Sequence, residues 1–352
     1  LHWGGGTPTF ISNEQIEELM SVIKDNFSLL DDDEGEYSIE IDPREIHEDT
    51  IPLLRKVGFN RLSLGVQDFD IEVQKAVNRI QPFEQTLAVI QEARKNRFQS
   101  INIDLIYGLP KQTVSSFKKT VDHIIEIDPD RIAIYNYAHL PRLFKPQRQI
   151  NEADLPSPAE KLEILEQAIT LLTKAGYIYI GMDHFAKPDD ELAIAQRKGT
   201  LYRNFQGYST NASCDVIGLG VTAISKIGNS YSQNERNIED YLRSVNEKHI
   251  PIFRGYRLND DDDLRRHVIT QLICHFEIIF SEVEDLFKIE FNSYFDKEIS
   301  LLSHMQKDDL LEINQDKIEV FPKGRFLIRN ICSIFDRYLP ETASTQSFSK
   351  MI

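Results

Sequence analysis

Apolar and polar residues alternate with period two in five short stretches of the first 180 residues: 38–42, 61–67, 101–105, 131–135 and 177–180. This alternation predicts strands, and the longer 3.6-period segments between them predict helices. Ser12 and Gln15 make a capping-box pattern with Ile11 and Ile16 at staple spacing, and Ile16, Leu19, Met20 and Ile23 mark one apolar face. A later helix is expected to start at Ser157, with Pro158 in its first turn and Glu160 closing the box, and to stop at Gly176. Its expected stripe is Leu162, Leu165, Ile169 and Leu172. Strand and helix in alternation predict βαβ units and a parallel sheet.

Strands covered by helices on both faces read as continuous apolar runs. Here one parity is apolar (Ile39, Ile41, Leu62, Leu64, Val66, Ile101, Ile103, Leu105), while the other carries Glu40, Asp42, Ser63, Gln67, Asn102 and Asp104. With the apolar parity against the helices, the polar parity points into a barrel interior, where barrel enzymes build their sites at the carboxyl ends of strands. The alternative is a flat sheet with a solvated polar face, which the helical connections disfavour. After about residue 230 the pattern changes. The acidic run Asp260–Asp263 is expected to cap a helix with Leu264, Val268, Leu272 and Phe276 on one face, and Tyr294, Ile299 and Leu302 mark a second helical stretch. Residues 311–320 read as a hairpin, followed by Pro322, Gly324 and a helix with Leu327, Ile331 and Phe335. Two domains are expected: 1–230, an α/β barrel-like domain, and 231–352, a mostly helical, winged-helix-like domain.

Composition narrows the function. The chain has 352 residues, 41% of them hydrophobic, and 40 basic against 56 acidic side chains give a net charge of −16. So acidic a surface argues against a nucleic-acid partner, which needs a basic footprint, and no apolar run approaches the roughly 18 residues of a membrane span. Cys214, Cys274 and Cys332 are widely spaced without a CxxC pair, which suits a reducing, cytoplasmic compartment and offers no metal site in this chain. The chain opens at Leu1, not at methionine.

Candidate chemistry gathers on the polar parity. Glu40, Gln67 and Asp104 come from three strands; a carboxylate can accept both hydroxyls of a ribose, and an amide can read an adenine or carboxylate edge. Arg79 could pair bidentately with a ligand carboxylate, or simply with Glu40 in an internal ion pair. Gly4-Gly5-Gly6-Thr7 would let a ligand approach the backbone, although no Gly-Lys-Ser/Thr follows to make a P-loop. Asp183-His184-Phe185 after the 177–180 strand is a candidate for metal binding or acid–base work, or for a structural role. The stretches 204–208 and 218–224 read as loop plus strand, with glycines for close packing.

The motifs His2–Thr9, Ile39–Arg44, Gly58–Phe69, Asn102–Pro110, Tyr135–Pro141, Gly181–Ala186 and Asn204–Tyr208, with the closing stretch 346–352, closely resemble the oxygen-independent coproporphyrinogen III oxidases (coproporphyrinogen dehydrogenases) of haem biosynthesis, a radical SAM family. The resemblance covers the whole chain. It implies an oxidoreductase in which a [4Fe–4S] cluster and S-adenosylmethionine generate a radical that drives oxidative decarboxylation of two propionates to vinyls, giving protoporphyrinogen IX. It implies two S-adenosylmethionine molecules per chain: Gly5, Glu40 and Ile224 resemble contacts to the cluster-bound one, and Gly6, Thr7, Gln67, Arg79, Asp104 and Ala138 contacts to the second. Phe205 and Gln206 resemble residues near the same ligands, with Glu40 and Gln206 as the catalytic pair. The partners implied are the porphyrinogen and a low-potential electron donor, for a monomeric protein.

The family holds its cluster with three cysteines in a CxxxCxxC loop ahead of the Trp-Gly-Gly-Gly segment, and no such loop stands in this sequence. The expectation is therefore an N-terminally truncated chain: a partial radical SAM barrel lacking its first strand, with the cluster present in the intact protein only and no activity for the chain as it stands. Two rivals remain. One is the related haem chaperone, a binding protein, from which Asp183–Ala186 and Asn204–Tyr208 differ locally. The other is a barrel lyase with Glu40, Asp104 and His184 around a divalent metal. A tetracarboxylate substrate on an acidic protein needs local positive charge, and the basic loop 139–148 makes Arg142, Lys145 and Arg148, together with Arg197, the expected propionate ligands.

Overall fold

The two parities of the alternating stretches separate in the folded chain. In a computed structural model, which describes residues 1–30 and 33–339, Ile39, Leu62, Leu64, Ile101, Ile103 and Leu105 are buried, while Glu40, Ser63, Asn102 and Asp104 between them are half-buried. The strands are β1 (His2–Trp3), β2 (Ser38–Ile41), β3 (Arg61–Gln67), β4 (Ser100–Tyr107), β5 (Arg131–Asn136), β6 (Ile178–Gly181) and β7 (His184–Ala186). They form one sheet in the order β1-β2-β3-β4-β5-β7-β6. Neighbours from β1 to β5 are parallel, as βαβ connections require.

The connecting helices are α1 (Asn13–Asn26), α2 (Thr50–Val57), α3 (Ile71–Ala76), α4 (Phe83–Lys95), α5 (Val114–Ile127) and α6 (Pro158–Lys174). Buried residues of all of them but α3 join the apolar parity of the strands in one core, while Val73 of α3 packs with Leu109 and Tyr137. The capping box of α1 is complete: Ser12 Oγ accepts from Gln15 N at 3.3 Å and Gln15 Oε1 from Ser12 N at 2.9 Å. At α6, Ser157 Oγ accepts from Glu160 N at 3.2 Å without a reciprocal bond among those described, and Gly176 ends the helix at φ +96°. The apolar stripe of α6 is Ile164, Ala168 and Leu172, an i, i+4 row; Leu165 and Ile169 flank it and Leu162 is exposed. Leu19 of α1 is exposed for the same reason, lying off the Ile16–Met20–Ile23 row.

One element departs from the expected all-parallel sheet. Asp183-His184-Phe185 is not a loop beyond a carboxyl strand end, because His184–Ala186 is itself β7, antiparallel to both β5 and β6. Gly181 at φ +138° and Met182 at φ +51° turn the chain back on itself, which a regular strand ending cannot do.

The chain divides into two compact units, one spanning Leu1–Ala193 and one beginning at Ile194; α7 (Glu191–Arg197) carries the chain from one to the other. In the second unit β8 (Tyr202–Asn204) and β9 (Gly207–Ser209) form a hairpin, and β10 (Ile224–Ile227), β11 (Ser230–Asn234) and β12 (Ile252–Arg257) an antiparallel sheet, with α8 (Ile238–Asn246) between β11 and β12. The break in the hydrophobic pattern near residue 230 lies inside this unit. Then follow α9 (Asp260–His275), β13 (Glu277–Ile279), α10 (Phe280–Phe287), α11 (Phe291–Tyr294), α12 (Asp296–Lys307), β14 (Leu311–Ile313), β15 (Lys317–Val320), α13 (Pro322–Arg325) and α14 (Ile328–Ser333). The expected 311–320 hairpin is β14–β15, with β13 on its other side. These short strands among helices match the expected winged-helix-like pattern. Asn259, rather than the acidic run after it, caps α9, in a full capping box with Asp262. The closing stretch 346–352 lies outside the described residues.

Candidate active site

Register brings the polar parity of β2, β3 and β4 into one row. Glu40 stands beside Ser63 and Ser63 beside Asn102, and one step along, Gly65 stands beside Asp104 and Asp104 beside Ala133. Asp104 accepts from Asn102 Nδ2 at 2.8 Å and Ser63 Oγ at 3.0 Å. Burial raises its carboxyl to about 6 against those two hydrogen bonds, and the nearby charge of Glu40 adds to the rise. Glu40 behaves oppositely. His2 Nε2 at 3.5 Å and the Gly5 amide at 3.1 Å hold it below the ordinary carboxylate range. Two acidic groups of one surface thus differ in readiness to ionise, one poised near neutrality and one firmly charged.

The glycine turn explains its own composition. A Cβ on Gly4 would stand 2.5 Å from His2 Nε2 and 2.8 Å from Glu40 Oε1, and Gly5 and Gly6 adopt φ +84° and +64°. Gly4 thereby passes close to the Glu40 carboxylate, while Gly5 and Gly6 face open space.

At the end of β3 the register slips between Gly65 and Gln67, and Gln67 takes φ +72°, a left-handed conformation costly for a side-chain-bearing residue. Its Oε1 is buried without a hydrogen-bond partner. A Cβ on Gly65 would meet Gln67 Nε2 and Arg79 Nη2, each at 3.3 Å, so the amide and the guanidinium lie together over that glycine. Arg79 does not pair with Glu40. It donates to Asp42 Oδ2 at 3.0 Å, Gly65 O at 2.7 Å and Gln81 Oε1 at 3.1 Å, because Asp42 lies two residues further along the same parity of the chain. Asp42 is shared with Arg44.

Behind this row lies a buried hub that the motif reading passed over. Asp68 accepts from Gln112 Nε2 at 2.5 Å, Thr120 Oγ1 at 2.6 Å and Asp70 N at 2.7 Å. Gln112 Oε1 in turn accepts from Gly108 N, and Gln74 bridges Asp68 O to Gln81 O. Gln81 reaches Arg79, so the network ties the residue after Gln67 to Arg79 and to the end of β4. The signal in the sequence was a polar residue directly after a strand's last site residue.

The other expected residues fall elsewhere. Gly6 and Thr7 lie in the glycine turn, and Ala138 follows β5, its carbonyl accepting from Gln147. Arg142, Lys145 and Arg148 are exposed on a loop, with Arg148 Nε donating to Pro141 O. Arg197, at the end of α7, is exposed. In the second unit, Phe205 and Gln206 are the exposed two-residue tip of the β8–β9 hairpin, not part of a strand, and Asn204 Oδ1 caps the Gln206 amide. Ile224 opens β10, and its backbone leaves no room for a Cβ on Gly218.

S-adenosylmethionine carries a ribose diol, an adenine edge, an ammonium and a sulfonium. An ionised carboxylate held by the Gly5 amide, a second carboxyl near neutrality and a buried amide oxygen without a partner suit it. The residues present do not suit an iron–sulfur cluster. Cys214 is exposed, while burial raises the Cys274 thiol to about 12 and pushes Cys332 up as well. Among the described residues no three His, Cys, Asp or Glu side chains converge to hold a metal ion, which removes the lyase arrangement of Glu40, Asp104 and His184. No helix among them is long and apolar enough to cross a membrane.

Residues 1–124 match the model of the radical SAM superfamily and residues 258–327 that of the HemN C-terminal domain. The sheet and its polar row are thus those of a radical SAM protein. The chain is 55% identical to an oxygen-independent coproporphyrinogen III oxidase of Pseudomonas aeruginosa, over all of this chain and 76% of that protein, and 51% identical to the Escherichia coli one over 77% of its length. The solved structure of coproporphyrinogen III oxidase (HemN) from Escherichia coli, described as a radical SAM enzyme, superposes with a TM-score of 0.93 over 96% of this chain and 78% of that one. The chain belongs to the oxygen-independent coproporphyrinogen III oxidase family, whose cofactors are S-adenosylmethionine and a [4Fe–4S] cluster.

Proposed function

We propose that the polar row of β2, β3 and β4 binds S-adenosylmethionine and that the chain serves the oxygen-independent oxidation of coproporphyrinogen III to protoporphyrinogen IX in haem biosynthesis. The supporting observation is the split pair of carboxylates, Glu40 held ionised and Asp104 near neutrality, beside the unpartnered oxygen of Gln67. Bound S-adenosylmethionine would be the source of a hydrogen-abstracting radical once a reduced [4Fe–4S] cluster, which the cysteines of this chain do not suit, gave it one electron. The chain's own residues position and shield. Gly5 and Glu40 hold one molecule; Gly6, Thr7, Gln67, Arg79, Asp104 and Ala138 hold a second. Glu40 keeps its charge towards the ligand, and the Gly5 amide holds one of its oxygens.

In the second unit Phe205, Gln206 and Ile224 keep the roles the resemblance gives them, Gln206 as a catalytic residue. Residues 1–230 would then be the radical SAM domain and 231–352 the mostly helical C-terminal one, in a cytoplasmic monomer served by a low-potential electron donor. Arg142, Lys145, Arg148 and Arg197 remain the first assignment for the propionates.

The pH dependence of binding tests the site. A cationic ligand prefers Asp104 ionised, so affinity for S-adenosylmethionine rises with pH and levels off above about 6. Below that it falls by up to about tenfold per unit. Asp104→Asn flattens the profile. Stability moves the other way: a carboxyl raised in the folded state binds more protons there, so the stability contribution is lost as pH rises from its unfolded pKa through about 6. Calorimetric titration at several pH values measures the first effect; identical profiles for the chain and Asp104→Asn would refute the assignment.

A further inference from the structure

In the second unit a cavity of about 230 Å3 is lined by residues of β8, β10, β11 and α9. Three cations, Arg203, Lys226 and Arg266, stand in its wall among the rings of Tyr202, Phe205 and Tyr231. Only Arg266 has an acidic partner, Asp263, and it also reaches the Tyr231 hydroxyl at 3.4 Å. Among the described residues no carboxylate pairs with Arg203 or Lys226. The guanidinium of Arg203 lies 4.8 Å from the Tyr208 ring centroid, and its Nη1 is shielded from solvent without a hydrogen-bond partner. Lys226 Nζ is 5.8 Å from the Tyr202 ring. A shielded donor left without an acceptor is costly, and two unmatched cations gathered in a chain of net charge −16 form a local exception to its surface.

We propose that this cavity is an anion subsite that takes one side-chain carboxylate of a planar pyrrolic or aromatic ligand. Arg203 and Lys226 receive the carboxylate, and Phe205, exposed at the hairpin tip and edge-on to Tyr231 with centroids 5.1 Å apart, offers a face to the adjoining ring. The volume is below the roughly 300–1,000 Å3 of cavities that enclose a whole drug-sized ligand, so the site takes a side chain and a ring edge, not a macrocycle. The ligand's identity as a propionate of the tetrapyrrole rests on the function proposed above. The assignment differs from the loop carrying Arg142, Lys145 and Arg148, whose cations are exposed and so are worth less to an anion.

Titration of the chain with coproporphyrin, followed by its absorption and fluorescence, and with 3-phenylpropionate, followed by calorimetry, tests the subsite. Arg203→Gln and Lys226→Gln are each expected to weaken both ligands about tenfold or more, to leave the uncharged coproporphyrin tetramethyl ester unaffected, and to lessen the salt dependence of binding. Arg203→Lys recovers part of the affinity, which separates loss of charge from loss of fold. If coproporphyrin binds equally to the chain and to both Gln variants, the subsite is refuted while the substrate assignment stands. If 3-phenylpropionate binds through Arg203 but coproporphyrin does not bind, the subsite stands and the tetrapyrrole reading fails. If neither binds, both fail.

Discussion

Glu40→Ala is expected to weaken S-adenosylmethionine binding by about 10- to 100-fold, the loss of one charge-assisted, partly shielded acceptor at about 1.5–3 kcal/mol. The effect is large because the carboxylate is preorganised: His2 and the Gly5 amide already hold its two oxygens, so little ordering remains to be done on binding. Removing it also leaves the turn His2–Gly6 without its centre. Glu40→Gln keeps the shape and loses the charge, so it separates the two contributions: an affinity loss like that of alanine means charge dominates, and little loss means the turn does. Equilibrium titration of both variants measures the difference, with circular dichroism as the control on folding.

Asp68→Ala has the second large effect, on stability as well as on the site. Asp68, Gln112 and Thr120 are all at most 2% exposed, and removing the carboxylate strands the Gln112 and Thr120 donors in the core. At about 1–3 kcal/mol for each donor left unsatisfied, the expected loss is about 2–6 kcal/mol. Asp68→Asn is not a mild change either. An Asn nitrogen at the Oδ2 position faces Gln112 Nε2, because the Gln112 oxygen is held towards Gly108 N, and at the Oδ1 position it faces the Asp70 amide. Gln74 ties the Asp68 main-chain carbonyl to Gln81, which holds Arg79, so a shift of the chain at Asp68 is expected to lower urea midpoint and ligand affinity together in both variants. A fall in midpoint with affinity untouched would mean that the hub supports the core alone.

The sheet was legible because period-two alternation is a direct record of which face meets the helices. Ile39, Leu62 and Ile103 had to be buried once Glu40, Ser63 and Asn102 were not. The polar row followed from the same parity, which places Glu40, Gln67 and Asp104 on one face of β2, β3 and β4. Partner choice was less legible. Asp42 and Glu40 share parity and charge, and only the position of Arg79 after the β3 bulge decides which of them it meets. The β6–β7 hairpin escaped because its turn uses Met182 in the left-handed region, a conformation that methionine does not advertise. Asp68 escaped because a buried polar residue is identified by its partners, Gln112 and Thr120, which lie 44 and 52 positions away. Arg203 escaped because nothing in the sequence says that Lys226 and Arg266 border the same cavity.

A crystal of the chain soaked with S-adenosylhomocysteine, an unreactive analogue of the sulfonium nucleoside, gives the most direct answer. Density at the carboxyl ends of β2, β3 and β4, with the ribose within hydrogen-bond reach of Glu40 or Asp104 and a ligand donor on Gln67 Oε1, is the predicted result. Density instead in the cavity of about 240 Å3 lined by Lys24, Asp33 and Arg55, where none of these residues stands, would contradict it.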